Sequence, residues 1–483
     1  MRKGCVPVKK LICLLLAFVL LLSLCACAQQ APEATTEGDT PAAGLQVGFA
    51  RANITPEDSV PLGGYGNTST RMSDGFLDYI YTSAIAISDG ENTVVIIEND
   101  LTAAVSTVLS KVRKKVSEKA GIPETSIMAA VDHVHSAPDL WNTGEATLAK
   151  YSSELITIMT ENALAAVEDM KPVTVTAGSA QTQDLNFVRH YVLEDGHVRG
   201  PSFGLQYNSP KVGYTHEPDR ELQVISFLQE GGKEILLVNF QAHPQRATDT
   251  NYNSITADTI GAMRDHVMSK KDCEVFYVLG ASGDLMSVSL ISKDNVYQDY
   301  KSHGKALGDA VLGVVNGEMA PLETGSVKTL TKVYTGTVDK TENNKVAEAR
   351  EIVEHWTEHN DYDAAVAMGE SCGINSPYHA QGILNKSNMD DTEDFSVYAF
   401  GIGELGFIFA PYEMFCENGA YIKENSPFGR TIVCTMANSS FNYIPAAAGF
   451  DYNCYEANTC RFIKGTGEEL AELFVSMLAD LKG

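Results

Sequence analysis

The chain has 483 residues and a formal charge of −26 at neutral pH. Arg2, Lys3, Lys9 and Lys10 all fall at its very start, so the remainder is more acidic still, which argues against nucleic acid as a partner. Only one stretch, near the N-terminus, is apolar enough to engage a bilayer, and the rest has ordinary globular composition, enough for one large core or two modest ones.

The early basic residues precede an apolar run from Leu11 to Leu24, closed by Leu24-Cys25-Ala26-Cys27, which is the architecture of an export signal. That segment resembles a bacterial lipobox, in which the peptide is cut before a cysteine that becomes diacylated. Cys27 fits best because Ala26 supplies the small preceding residue, with Cys25 as the alternative; an uncleaved anchor would need a longer run. The expectation is a lipoprotein held outside the cytoplasmic membrane of a bacterium, with signal peptide 1–27. Residues 28–44, rich in Ala, Gln, Glu, Thr, Pro and Gly, form a flexible tether. No Pro/Gly/Ser-rich linker interrupts 45–483, which reads as one catalytic domain.

Within it, β-branched and apolar runs predict strands at Val94–Glu98, Ile127–Val131, Val173–Ala177, Leu222–Leu228, Ile235–Gln241, Val275–Leu279, Val397–Ala410 and Thr431–Met436. Helical spacing of apolar residues predicts helices at Thr102–Lys119, Thr147–Met170, Thr256–Met268, Gly304–Val315, Asn343–His359 and Glu468–Leu481. The alternation implies an α/β fold, a central mixed β-sheet flanked by helices, with polar ligands gathered at strand ends. Six cysteines follow the lipobox, Cys273, Cys372, Cys416, Cys434, Cys454 and Cys460; they permit disulfides without requiring them, and no C-x-x-C pair marks a zinc site.

Strand ends supply the candidate metal ligands. His133 and His135, in Asp132-His133-Val134-His135-Ser136-Ala137-Pro138, leave an apolar strand on the same side of an extended chain. Ala242-His243-Pro244 and Pro411-Tyr412-Glu413 stand at the ends of two further apolar runs, and a third leads into Asn442-Tyr443-Ile444. Two histidines, a glutamate and a tyrosine form a borderline-hard set suited to Zn2+ with a position left for water. A competing pattern, His355-Trp356-Thr357-Glu358-His359, is H-x-x-E-H on a predicted helix, but its histidines fall mostly on the solvated side.

These motifs, with Gly48-Phe49-Ala50-Arg51-Ala52-Asn53-Ile54-Thr55 and Gly64-Tyr65-Gly66 before them, resemble in order the neutral/alkaline non-lysosomal ceramidases, zinc amidases that split the N-acyl bond of ceramide. The resemblance runs from about Leu45 to about Glu456. It implies zinc held by His133, His243, Glu413 and Tyr443, with His135 beside the reacting carbonyl, Tyr455 of Tyr455-Glu456 near the scissile bond, and Arg189 as an active-site arginine. Asn53 replaces an aspartate of the family's opening segment. Where the family's G-D-V-S-P-N carries its catalytic serine, Gly283-Asp284-Leu285-Met286-Ser287-Val288 has Met286, which cannot act as a nucleophile. The family's sandwich-like C-terminal domain is also not expected here, which questions long-chain sphingolipid substrates. The expected function is therefore a zinc-dependent hydrolase of a linear amide, with zinc-activated water replacing serine, a small lipid-like amide as substrate, and a membrane attachment through the N-terminal lipid. The alternatives are a non-catalytic binding lipoprotein and a zinc esterase or peptidase.

Overall fold

The computed structural model describes Met1 and residues 44–65, 71–141, 145–203, 210–317 and 319–483. The signal peptide with Cys27, the tether as far as residue 43, and Gly66 lie outside the described residues. Among those described, no helix is long and apolar enough to cross a membrane.

In chain order, β1 (Gln46–Asn53), β2 (Tyr81–Ser88), β3 (Thr93–Asn99), α1 (Ser106–Ala120) and β4 (Ile127–Val131) form the first half of a large sheet and its first covering helix. α2 (Ala146–Glu168), β5 (Lys171–Gln181), β6 (Glu221–Gln229), β7 (Glu234–Phe240), α3 (Asp258–Lys270), β8 (Cys273–Leu279) and α4 (Tyr300–Asn316) complete it. The strand order is β8-β7-β6-β5-β1-β2-β3-β4, with Ala320–Pro321 adding a short ninth strand beside β5. Both outermost pairs, β3–β4 and β7–β8, are parallel, as their helical crossovers α1 and α3 require, and the inner pairs are antiparallel. The sheet is therefore mixed and flanked by helices.

A second sheet packs against it. β9 (Val327–Thr337) leads into α5 (Val346–His359), α6 (Tyr362–Gly369) and α7 (Pro377–Ser387), after which β10 (Thr392–Ile402), β11 (Leu405–Phe409) and β13 (Arg430–Cys434) make a four-stranded sheet in the order β9-β10-β11-β13. Between β11 and β13 lie the two-residue β12 (Glu413–Met414) and α8 (Cys416–Asn425), and β14 (Tyr443–Ile444) and α9 (Thr466–Lys482) follow. Ile85, Ile96, Phe227 and Phe276 from one sheet meet Phe400, Phe407 and Phe409 from the other in a buried layer. The far face of the large sheet packs on α1 to α4, and that of the small sheet on α8 and α9, so the layers run α/β/β/α.

The run expected as one strand over Val397–Ala410 is instead the hairpin β10–β11. Apolar residues on both sides of the turn gave no alternation to mark it, because this sheet is covered on both faces; Gly403, at φ +59, reverses the chain. α5 to α7 share a small core of Ala349, Ile352, Ala365, Ile374, Ala380 and Ile383, an insertion between two paired strands. All six cysteines beyond the lipobox are free thiols.

Candidate metal centre and its cavity

His133 stands two residues past β4, and His243 three past β7. His133 adopts φ +65, a conformation that costs a non-glycine residue roughly 1 to 3 kcal/mol and is retained where the surroundings impose it. Here its Nδ1–H donates to the Thr102 carbonyl at 2.5 Å, and the Nδ1–H of His243 donates to the Ser282 carbonyl at 2.7 Å. Each backbone bond fixes a tautomer and directs Nε2 inward with a free lone pair.

The inward nitrogens meet Glu413. Its Oε2 lies 3.3 Å from His133 Nε2 and 3.2 Å from His243 Nε2. Although all three residues are buried, Glu413 Oε2 and His243 Nε2 have no hydrogen-bond partner among the described residues. Orphaned, convergent donors of this kind cost several kcal/mol when left bare, and a cation resolves them; the set N, N, O matches zinc. Tyr443 reaches the same place because β12 pairs in parallel with β14, with Glu413 opposite Tyr443. His135 Nε2 stands 3.3 Å from His133 Nε2, and the ligand atoms of His133, His135 and His243 all lie within 4.8 Å of one another. The structure thus brings together all four expected ligands and adds His135 as a fifth neighbour.

Protonation follows the same geometry. Burial, helped by the neighbouring imidazoles, pushes His135 well below the usual histidine range, and burial lowers His243 also. Burial opposes ionisation of Glu413, yet His133 and His243 hold its carboxyl well below the carboxylate range. Burial raises the Tyr443 phenol well above normal, and the Glu413 charge adds to it. The result is a carboxylate facing imidazoles of which two are kept neutral, the states a metal takes.

Arg189 is positioned by a short ladder. Phe187–Val188 pairs antiparallel with Leu285–Met286, and Arg189 N–H bonds to the Asp284 carbonyl at 2.9 Å. Its guanidinium donates to the Gly283 carbonyl at 2.6 Å, pairs with Glu456 at 2.5 Å and lies 5.2 Å from the Tyr443 ring centre. Burial opposes the charge on Arg189, and Glu456 more than restores it. A cavity of about 460 Å³ joins Arg189, His135, Met286, Tyr443 and Tyr455, so all the expected catalytic residues face one space. A second, of about 260 Å³, opens on His133, Glu413 and Tyr455 beside Tyr378 and Gln381 of α7.

Met286 lines the larger cavity, whereas Ser287 Oγ–H turns away to the His243 carbonyl at 3.0 Å and the Ser282 carbonyl holds the His243 ring. Gly64, at φ +105, sits against His135, where a Cβ would fall 2.7 Å from the ring. Arg71, which no sequence pattern singled out, donates to the His135 carbonyl at 2.6 Å and fixes that loop from behind. His190, the chain neighbour of Arg189, bonds Glu456 through Nε2 at 2.8 Å and shares in holding that carboxylate. His355 and His359 stack on α5, where His359 Nδ1 bonds the His355 carbonyl at 3.1 Å, and they join no convergent ligand group among the described residues.

No family model and no curated protein matches the chain. Solved structures do. A neutral ceramidase from Pseudomonas aeruginosa aligns over 91% of this chain and 75% of its own at 16% identity and TM-score 0.66. A ceramidase complexed with C2 aligns over the same shares at 15% identity and TM-score 0.66. The chain therefore has the neutral ceramidase fold.

Proposed function

We propose that the protein is a zinc-dependent hydrolase of linear amides, ceramidase-like, acting on an N-acyl lipid or a related small amide. The observation that carries the reading is the convergence of His133, His243 and Glu413, with orphaned inward atoms, at a cavity shared with Tyr443 and Tyr455, both of which also line the neighbouring cavity of Arg189. His133, His243, Glu413 and Tyr443 would hold the ion, with His135 beside them. When bound, zinc supplies a water of near-neutral pKa and polarises an acyl carbonyl.

The protein's own groups do the rest. Arg189, kept cationic by Glu456, binds an acyl or head-group oxygen at a fixed place. His135 and Tyr455 are placed to donate to the oxygen that gains charge as the carbonyl carbon becomes tetrahedral. Tyr65 and Tyr378 wall the cavity with rings and narrow its access to water. The export signal makes it an extracytoplasmic lipoprotein attached through Cys27, close to lipid amides.

Met286 in the cavity supports a second reading, a binding lipoprotein that keeps the fold without the reaction. Metal analysis and turnover separate the two. His243→Ala and Glu413→Ala should each lose bound zinc and amide hydrolysis together, with the fold retained by circular dichroism. Full zinc in the His243→Ala protein would defeat the assignment of this centre. A wild-type protein that binds zinc and N-acyl lipids but turns over neither amides nor esters would favour the binding protein.

A further inference from the structure

We infer that the molecule has a second metal site, made by His216, Asp284 and Cys416, for a thiophilic divalent cation of zinc's preferences. His216 Nε2 lies 2.8 Å from Asp284 Oδ2, Cys416 Sγ lies 3.3 Å from the same oxygen, and Sγ and Nε2 are 3.6 Å apart. Tetrahedral zinc with one nitrogen, one oxygen and one sulfur ligand sets its donors roughly 3.2 to 3.7 Å apart, so the three atoms need to move by about half an ångström. Thr215 Oγ sits 3.0 Å from His216 Nδ1, which turns Nε2 toward the group. Asp284 and Cys416 are buried, and His216 is partly exposed, which leaves a solvent-facing fourth position for water. The charged side chains acting on His216 are Asp284, Glu417 and Glu217, all acidic.

A comparable group, His190, Cys454 and Glu456, does not offer the same site. The guanidinium of Arg189 already sits 2.5 Å from Glu456 and supplies the positive charge there. Among the described residues no arginine or lysine pairs with Asp284, whose other oxygen accepts the Cys416 backbone N–H at 2.8 Å. Binding takes the thiol proton of Cys416 to solvent and leaves a thiolate on the ion.

The place of the site gives it a role. Cys416 begins α8 three residues after Glu413, and Gly283 N–H bonds the Met414 carbonyl at 2.7 Å. An ion here ties the Glu413 segment to the Gly283–Asp284 turn, whose Gly283 carbonyl holds Arg189. It braces the catalytic cavity without touching substrate.

Cobalt titration of the metal-stripped, fully reduced full-length protein tests this. Co2+ in the His133–His243–Glu413 centre has no sulfur ligand, so thiolate-to-cobalt charge-transfer absorption reports the second site alone. Two equivalents are expected in the wild type, one carrying that absorption. Cys416→Ser, which keeps a hydrogen bond to Asp284, and His216→Gln should each reduce the count from two to one, with the absorption lost in Cys416→Ser. A folded wild type without thiolate absorption overturns the proposal, as does absorption that persists in Cys416→Ser. Because the wild-type spectrum is decisive by itself, a variant that fails to fold does not rescue the idea.

Discussion

Met286 and Ser287 are adjacent, yet one faces the cavity and the other is committed elsewhere, because successive side chains of an extended segment point to opposite sides. Ser287→Ala should cost about 1 kcal/mol of stability by removing one of the two donors to the His243 carbonyl, which keeps the Gln245 N–H, while kcat/KM for amides falls less than tenfold. Urea melts and steady-state kinetics on one sample check both, and abolished turnover in a folded, zinc-loaded Ser287→Ala protein would make that serine the nucleophile. Met286→Ser places a hydroxyl where the thioether now lines the cavity. It should raise kcat/KM on a short-acyl fluorogenic ceramide about tenfold, equal to about 1.4 kcal/mol of transition-state stabilisation. An unchanged or lower rate would show that the hydroxyl does not reach the developing charge. The proposed ligands His133, His243 and Glu413 stood out in the sequence because each comes within a few residues of the end of an apolar run. Arg71 and His216 did not, since what gives them meaning is a partner more than 60 residues away.

Elements with a strong period were legible, and those whose environment hides the period were not. β4 coincides with the expected Ile127–Val131, β7 is shifted one residue toward the N-terminus of Ile235–Gln241, and β8 extends Val275–Leu279 by two residues. β1, with Gly, Ala and Arg among its apolar residues, and β9, half-exposed and threaded with lysines, lack a clear signature. Helix α6 is short and buries only Ala365 and Gly369, and α7 buries His379 and Lys386 among its inward residues, so their apolar pattern is equally faint. One helix carries a pH signal. His303 on α4 donates Nε2–H to the Leu185 carbonyl at 2.9 Å, and its Nδ1 is buried without a partner. Burial, together with the Arg246 charge, pushes its pKa down to about 4. The unfolded chain takes up this proton near pH 6.5 and the folded chain does not, so stability falls as pH drops from about 6.5 to about 4 and this loss stops below that. The gap corresponds to about 3 kcal/mol. His303→Gln, which can still donate to Leu185, should flatten that part of the profile; urea midpoints at pH 7 and 4.5 that shift equally in both proteins would remove His303 as the cause.

At the scale of the whole molecule, the proposed metal centre is shared between the two sheets. His133 and His243 hang from strands of the large sheet, and Glu413 and Tyr443 follow β11 and β13 of the small one. Neither sheet alone completes the proposed ligand set, so an ion would bind only when Phe400, Phe407 and Phe409 are packed against the large sheet. Additional contacts register the two near the site: Asn438 bonds the Ala129 backbone on β4, and Asn239 on β7 donates to the Val433 carbonyl at 3.0 Å. Metal binding would then be a property of the packed molecule, and ligand-linked stability would follow. Zinc at a hundredfold excess over its Kd should stabilise the whole fold by about 2.7 kcal/mol, seen as one urea transition moving to higher midpoint. Phe407→Ala, which removes a ring stacked 4.3 Å from Phe400, should lower the zinc-free stability by about 3 to 5 kcal/mol without touching a ligand. In that variant zinc should still raise the midpoint, through the same single transition. If zinc binds with wild-type affinity and the midpoint does not move, or if two transitions separate and only one responds, then the ligands lie within one independently folding sheet and the shared centre is wrong.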